Sequence, residues 1–429
     1  MIDARTPVVT PPPPPTRRWL PRLLRGTPFR RYWSAQTVSL FGDEISTLAL
    51  PLFAVLGLHA GPAEMGYLIA AALIPNLLFS VLAGAWIDRY PYKRRIMIVA
   101  DIGRALLLSA VPVAYLLDVL TIEQLYLVAF LSGTLAVLFG VSNNTLFVSL
   151  VAKKDYMAAN TLLNGSRATS FVVGPSAAGI LVQTLTAPVA LLADAVSYLV
   201  SAVLLMKIRP TEPPPSEAAG LGIGQGLRFI AGSPVLRSTL LGATTMNLFN
   251  YMFAALFVLY VSTELGVSPG LLGAVIGAGA FGALLGAAVT GRVARKLGIG
   301  PTLVLSFVLF PAPLLLVPLA AGSAPSLLGM LFVAEFLSGL AVMMLDITLG
   351  SVQTAATPDP LRARVSGAQR TINYGIRPIG ALLGGALGAN LGVRPALWIA
   401  TIGAIAGVLW VLPPSVSKLR DLPEQGEPR

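Results

Sequence analysis

Gly84-Ala85-Trp86-Ile87-Asp88-Arg89-Tyr90-Pro91-Tyr92-Lys93-Arg94-Arg95 is the stretch around which this chain is organised. It joins two long apolar runs and sets one acid beside four basic residues in the short link between them. A weaker echo, Gly291-Arg292-Val293-Ala294-Arg295-Lys296-Leu297-Gly298, follows another apolar run, with Arg295 in place of the acid. A polar, basic link that recurs between apolar runs indicates a chain that repeatedly leaves and re-enters a membrane.

The composition agrees. Of 429 residues 55% are hydrophobic and only 11% charged, and the mean hydropathy is +0.77, too apolar for a soluble enzyme of this length. The absence of cysteine removes disulfides and thiolate metal sites, and a single histidine, His59, excludes multi-histidine metal centres and leaves little room for a Ser-His-Asp arrangement. No phosphate cradle of the Gly-Lys-Ser/Thr kind occurs, which excludes an ATPase of that type. The net charge of +11 resides in loops between apolar runs, which suits an anionic leaflet better than nucleic acid.

A run of about 20 apolar residues crosses the hydrocarbon core as a helix, and about twelve such runs are present. Spans 1 to 6 are expected at 30–58, 65–87, 96–117, 122–150, 158–184 and 188–208, and spans 7 to 12 at 234–263, 269–291, 300–321, 325–355, 361–391 and 394–413. The fold class is therefore all-α membrane protein, two six-helix halves at 30–208 and 234–413. Tails cover 1–29 and 414–429, and a linker with a short interfacial helix around Gly226 to Ile230 covers 209–233. Pro11 to Pro15 reads as a polyproline II or disordered tail.

Basic residues lie in alternate links: Arg89/Lys93/Arg94/Arg95, Lys153/Lys154, Lys207/Arg209/Arg228, Arg292/Arg295/Lys296 and Arg362/Arg364. The other links hold mainly His59, Glu64, Asp118, Glu123 and Glu264, with Arg394 as the exception. The positive-inside bias thus puts both termini in the cytoplasm.

The first link fits the signature of the second-to-third helix loop of the major facilitator superfamily, with Pro91 where the family has its second Gly. Together with Ser39-Leu40-Phe41-Gly42-Asp43, Gly174-Pro175, Gly226-Leu227-Arg228-Phe229 and Arg362-Ala363-Arg364-Val365, the chain resembles the enterobactin-exporter and bacterial drug-efflux branch over roughly residues 29–413. The resemblance implies a multi-pass transporter of a bacterial inner membrane that exports an amphipathic small molecule by alternating access. Its partners would be that substrate, protons and the bilayer, without nucleic acid, cofactor, metal or catalytic residues, and with a monomer as the working unit. A narrow-specificity siderophore or metabolite exporter is the alternative within transport, and a transport-inactive receptor or scaffold the alternative outside it.

In that fold spans 1, 4, 7 and 10 line a central cavity, and the polar residues concentrate there: Asp43 and Glu44, Asn143 and Asn144, Asn247 and Asn250, Glu335 and Asp346. A charge facing lipid costs about 2.5 kcal/mol or more, so these groups are expected to face water or a partner. Asp43 and Glu44 point about 100° apart, so one should face the cavity and the other pack. Glu335 and Asp346, about three turns apart, share a helix face at different depths. All four acids are candidates for proton coupling, and Asp43, Asn247, Asn250, Tyr251 and Glu335 for substrate binding. The alternative for each acid is a fixed ion pair with an arginine such as Arg167, Arg370 or Arg377.

Asp194, on a span expected to be peripheral, should turn inward to a hydrogen bond. Gly84, Asp88, Arg89, Asp101 and Arg104 are expected to form a gate at the basic face, with Asp88 capping span 11 by family analogy. Gly174, Pro175 and Gly179 resemble the superfamily's antiporter motif and equally suit a Pro-kinked packing helix. Gly273, Gly277, Gly282 and Gly286 of span 8, and Gly380, Gly384 and Gly388 of span 11, are expected at the interface of the halves. A reporter fused at the Lys153 loop should read as cytoplasmic; an external reading there would overturn the orientation.

Overall fold

The computed structural model describes residues 22–90, 92–209 and 223–422. Among these residues every regular element is helical. The first six spans are Thr27–Gly57, Pro62–Asp88, Lys93–Leu116, Ile122–Leu150, Tyr156–Leu185 and Ala187–Met206. The short helix Ile223–Gly232 precedes span 7, Pro234–Leu259, which ends in a π-helical turn Tyr260–Glu264. Span 8 is Pro269–Leu297, span 10 Ala324–Ala355, span 11 Arg362–Leu391, and span 12 Val393–Ala406 with a 3₁₀ turn Gly407–Trp410. Span 9 is broken: Ile299–Leu309 gives way to short turns Ala312–Leu315 and Leu316–Leu319, because Pro311 and Pro313 withdraw two backbone donors.

Eleven of these segments are long and apolar enough to cross a membrane. Span 11 is not among them, since its 30 residues include Arg362, Arg364, Arg370, Asn373 and Arg377. Proline in the first turn opens spans 2, 7, 8 and 10, where its missing donor costs nothing. The links from span 5 to 6 and from span 11 to 12 are single residues at matching places in the two halves: Thr186 at φ 81° and Gly392 at φ 91°. Only glycine adopts that conformation without strain, so Thr186 is held there by its neighbours.

Basic side chains close helix ends. Arg94 donates to the Ile208 carbonyl, and Arg31 to the Lys207 carbonyl at 2.6 Å, at the end of span 6, where cations favour the helix dipole. Arg394, the exception to the charge bias, donates through Nε to the Pro318 carbonyl at 2.7 Å and so closes span 9.

The hydrophobic interior differs along the membrane normal. One continuous cluster joins both halves, including Leu52 and Phe53 of span 1, Met65 of span 2, Val182 of span 5, Leu256 of span 7, Leu272 and Val275 of span 8, and Leu397 of span 12. All of these lie in the parts of their spans away from the basic links. Toward the basic links the clusters separate: Phe29, Tyr32, Met97, Leu146 and Leu205 in the first half, Met246, Leu303, Phe307 and Leu345 in the second. The halves are therefore packed together at the far end and apart at the basic end.

Two glycine seams make the far closure. In span 5 against span 8, a Cβ on Gly179 would lie 2.3 Å from the Pro269 carbonyl, and one on Gly273 would lie 2.3 Å from that of Pro175. In span 2 against span 11, a Cβ on Gly66 would lie 2.8 Å from Gly385 Cα. Across the first seam the Gly270 N–H donates to Gln183 Oε1 at 2.9 Å, which satisfies a first-turn donor of span 8 from the other half. Of the glycines expected between the halves, Gly273, Gly277 and Gly388 lie there. Gly282 and Gly286 instead meet span 10, and Gly380 and Gly384 meet span 7.

The short helix Ile223–Gly232 rests on the start of span 11: a Cβ on Gly226 would lie 2.3 Å from the Arg364 carbonyl, Arg364 donates to Gln225, and Ile230 packs with Val365 and Ala368. The proline run 11–15, Pro91, most of the linker, and the surroundings of Gly84 and of the Asp88 side chain lie outside the described residues.

Gly273→Ala should force the span 5–span 8 seam apart at an overpacking cost of about 1–3 kcal/mol. The expected outcome is faster thiol labelling of a cysteine placed at Val275, which is fully buried; unchanged labelling would mean that closure does not rest on this seam.

Candidate functional site

The densest polar arrangement lies inside the first half. Gly42 of span 1 presses on span 6, where a Cβ would lie 2.0 Å from Ser197 Oγ and 2.1 Å from Asp194 Oδ1. This close approach lets Asp43 accept a hydrogen bond from the Tyr198 hydroxyl and pair with Arg104 of span 3 at 3.5 Å. Arg104 also donates to Asp101 at 2.6 Å, and its guanidinium lies 4.1 Å from the ring centre of Tyr198 and 4.8 Å from that of Phe139. One arginine thus connects spans 1, 3, 4 and 6, using its fixed fork for the carboxylates and its flat face for the rings. The arginine side chain is 4% exposed and that of Asp101 0%, whereas that of Asp43 is 42% exposed.

Asp194 completes the group. Its carboxylate accepts from the Ser46 hydroxyl and, at 2.9 Å, from the Ser197 hydroxyl. Asp43, Ser46 and Arg104 border a cavity of about 450 Å³ whose other walls include Gln36, Leu108, Val128, Phe139, Asn143 and Arg167. Apolar walls with a few convergent polar groups are the usual form of a small-molecule site.

In the second half the polar residues are dispersed. Asn247 donates to Asn373 Oδ1 at 3.3 Å and to the Ala243 carbonyl at 2.9 Å. The Arg377 guanidinium lies 5.1 Å from the ring centre of Tyr251 and 4.5 Å from that of Tyr374, and Asp346 is within its electrostatic reach. Glu335 turns toward span 8, its Oε2 3.1 Å from where a Gly279 Cβ would stand, and no hydrogen bond or ion pair reaches it among the described residues. Glu335 and Asp346 therefore face different neighbours. Asn250 is half-buried.

Of the neighbouring acids on span 1, Asp43 lines the cavity. Glu44 packs over Gly174, where a Cβ would lie 2.5 Å from its own. The Gly174-Pro175 segment is thus a seat for span 1 and, through Gly179, part of the seam between halves. Asp101 and Arg104 turn into the bundle toward Asp43, away from Arg89, which is exposed at the loop. Tyr198, Ser46 and Ser197 were not singled out from sequence, yet a signal was present: Asp194, Ser197, Tyr198 and Ser201 recur at helical spacing along an otherwise apolar span.

Among the described residues, twelve long helical segments in two halves that pack together at one end define a multi-pass membrane protein. A family model described as transmembrane secretion effector matches residues 18–425, and the chain belongs to this family of the major facilitator superfamily. It is a transporter, not an enzyme. The chain is 28% identical over 382 residues to the uncharacterized MFS-type transporter YfiS of Bacillus subtilis, covering 85% of this chain and 88% of that one. It is 25% identical over 401 residues to the multidrug efflux pump Tap of Mycolicibacterium fortuitum, covering 90% and 95%. Among solved structures, a bacterial homologue of the iron transporter ferroportin in an inward-facing state superposes with a TM-score of 0.74 at 17% identity, covering 92% of this chain and all of that one. A bacterial homologue of the lysosomal transporter Spinster superposes at 0.68 with 14% identity, covering 94% and 100%. These likenesses establish the fold.

Arg104→Gln would leave Asp101 buried without its cation, a change that costs about 3–5 kcal/mol. The thermal unfolding midpoint in detergent should fall sharply, and Arg104→Lys should recover only part, since an ammonium cannot span both carboxylates. An Arg104→Gln protein as stable as the parent would show that the network is not held by this charge.

Proposed function

We propose that this protein is an exporter of amphipathic small molecules, moving them across a bacterial cytoplasmic membrane by alternating access in exchange for protons. The observation that carries the reading is Asp43, a carboxylate open to an otherwise largely apolar cavity and tied through Arg104 and Tyr198 to groups buried behind it. Such a group accepts either a proton or the cationic end of a substrate, and that competition is what exchange requires. The Tap efflux pumps, aligned over 95% and 85% of their length, support export of drugs or metabolites.

The charge bias supports both termini and the basic links lying in the cytoplasm. In that orientation the far-end closure is external, and the described state opens inward. The halves, 30–208 and 234–413, would rock about the seams, with the basic loop at Gly84, Asp88 and Arg89 closing the cytoplasmic side in the opposite state. Asn247, Asn250, Tyr251 and Glu335 are proposed as the second half's substrate contacts. Glu335 and Asp346 join Asp43 as coupling candidates, and Glu44, packed on Gly174, is placed to sense movement of the seam. One molecule of the chain suffices for this cycle.

The test is lumenal pH in proteoliposomes under an imposed proton gradient while lipophilic cationic dyes and antibiotics are added. Substrate-dependent proton movement is expected from the parent and its loss from an Asp43→Asn/Glu335→Gln double variant. Glu335→Gln alone should lose uphill accumulation. Labelled-substrate flux without proton movement would reject proton exchange and leave facilitated transport.

A further inference from the structure

The charges of the first-half network do not balance. Arg104 is the one cation among Asp43, Asp101 and Asp194, and it reaches Asp43 at 3.5 Å and Asp101 at 2.6 Å. Asp194, with no exposed surface, has no cation within ion-pair distance among the described residues and is met by two neutral hydroxyls. The titratable and charged groups around it are Asp43 from span 1, Arg104 from span 3 and Tyr198 on its own span; span 5, which also packs on span 6, carries Arg167, which lines the same cavity as Asp43 and Ser46 and forms no ion pair with Asp194.

An unbalanced carboxylate enclosed away from water is expected to take up a proton. A route to Asp194 exists: Ser46 borders the cavity and its hydroxyl contacts Asp194 Oδ2.

We propose that Asp194 is a proton-binding site loaded from the cavity through the Ser46 hydroxyl, with Asp43 as the cavity-facing group that responds to substrate. In the transfer Ser46 passes its hydroxyl hydrogen to Asp194 Oδ2 and takes a proton from a cavity hydronium, so that the serine is regenerated, water is left, and the carboxylate becomes a carboxylic acid. Unloading runs the same steps backwards. The arrangement separates two tasks that a single carboxylate would perform in turn: Asp43 meets the substrate, and Asp194 stores the proton one hydroxyl behind it. Gly42 is a positioning residue here, because any side chain at that place displaces Asp194 or Ser197. The inference deepens the exchange reading above.

The experiment is infrared difference spectroscopy of the full chain in lipid vesicles during a pH titration. A carbonyl-stretch band of a protonated carboxylic acid should titrate in the parent and vanish in Asp194→Asn. In Ser46→Ala the band should remain, shifted in frequency, and appear at least tenfold more slowly after a pH jump. A band that persists in Asp194→Asn with the parent's midpoint overturns the proposal. If Asp194→Asn does not fold, Ser46→Ala and Ser197→Ala decide it, since each removes one contact to the carboxyl: a shifted band in both is expected, and no shift in either overturns it. The band is read without substrate or gradient, so a failure of exchange in vesicles would refute the transport reading and leave this site standing.

Discussion

The interior of a membrane offers no water to a stranded charge, and in this protein the constraint converges on Arg104. Its guanidinium answers two carboxylates and lies against two aromatic rings, so spans 1, 3, 4 and 6 are positioned by one side chain that cannot be left unpaired. Gly42 allows the approach of span 1 to span 6 that brings Asp43 within reach. With Asp43 held there, the cavity acquires a fixed acidic wall, and the carboxylates behind it are shut off from solvent. The first half is thus built around charge and the second around dispersed polar groups and aromatic faces, a division of labour that the duplicated architecture alone does not require.

The same economy governs the relation between the halves. They meet where glycines let backbones touch, along spans 5 and 8 and along spans 2 and 11, with one hydrophobic cluster continuous across the far end. A seam of small residues crossed by two side-chain hydrogen bonds, from the Gly270 amide to Gln183 and from the Ser176 hydroxyl to the Gly273 carbonyl, separates at lower cost than a seam of large interlocked side chains. The continuous hydrophobic cluster at the far end and the divided clusters at the basic end are then two halves of one proposed cycle, with the closure described here exchanged for its opposite as cargo moves.

Much of the fold was legible because hydropathy and basic links report position along the membrane normal directly. Span 1 was expected at 30–58 and runs Thr27–Gly57. Span 11 was recognised even though its arginines keep it from qualifying as apolar. Span 9 was read as continuous, and its break at Pro311 shows that two nearby prolines outweigh hydropathy. Side-chain partners were less legible. Asp101 and Arg104 were expected to join Arg89 because they lie toward the same membrane face, but a helix turns about 100° per residue, and their side chains look toward Asp43 and Tyr198. The Ser46 and Ser197 contacts to Asp194 escaped notice because serine is common in membrane helices, and only the approach of two helices decides which hydroxyl has a function.

Alternating closure of the two ends is the claim on which the transport account rests, and distances between spin labels measure it directly in this cysteine-free chain. One pair would sit at the far end, on the exposed positions Thr184 and Leu271, and the other at the basic end, on Met157 and Leu297. The account predicts opposite changes as pH and a transported cation are varied: the far pair moves apart in the same population in which the basic pair moves together. Both distances holding still, or changing in the same direction, while substrate is being transported would contradict it.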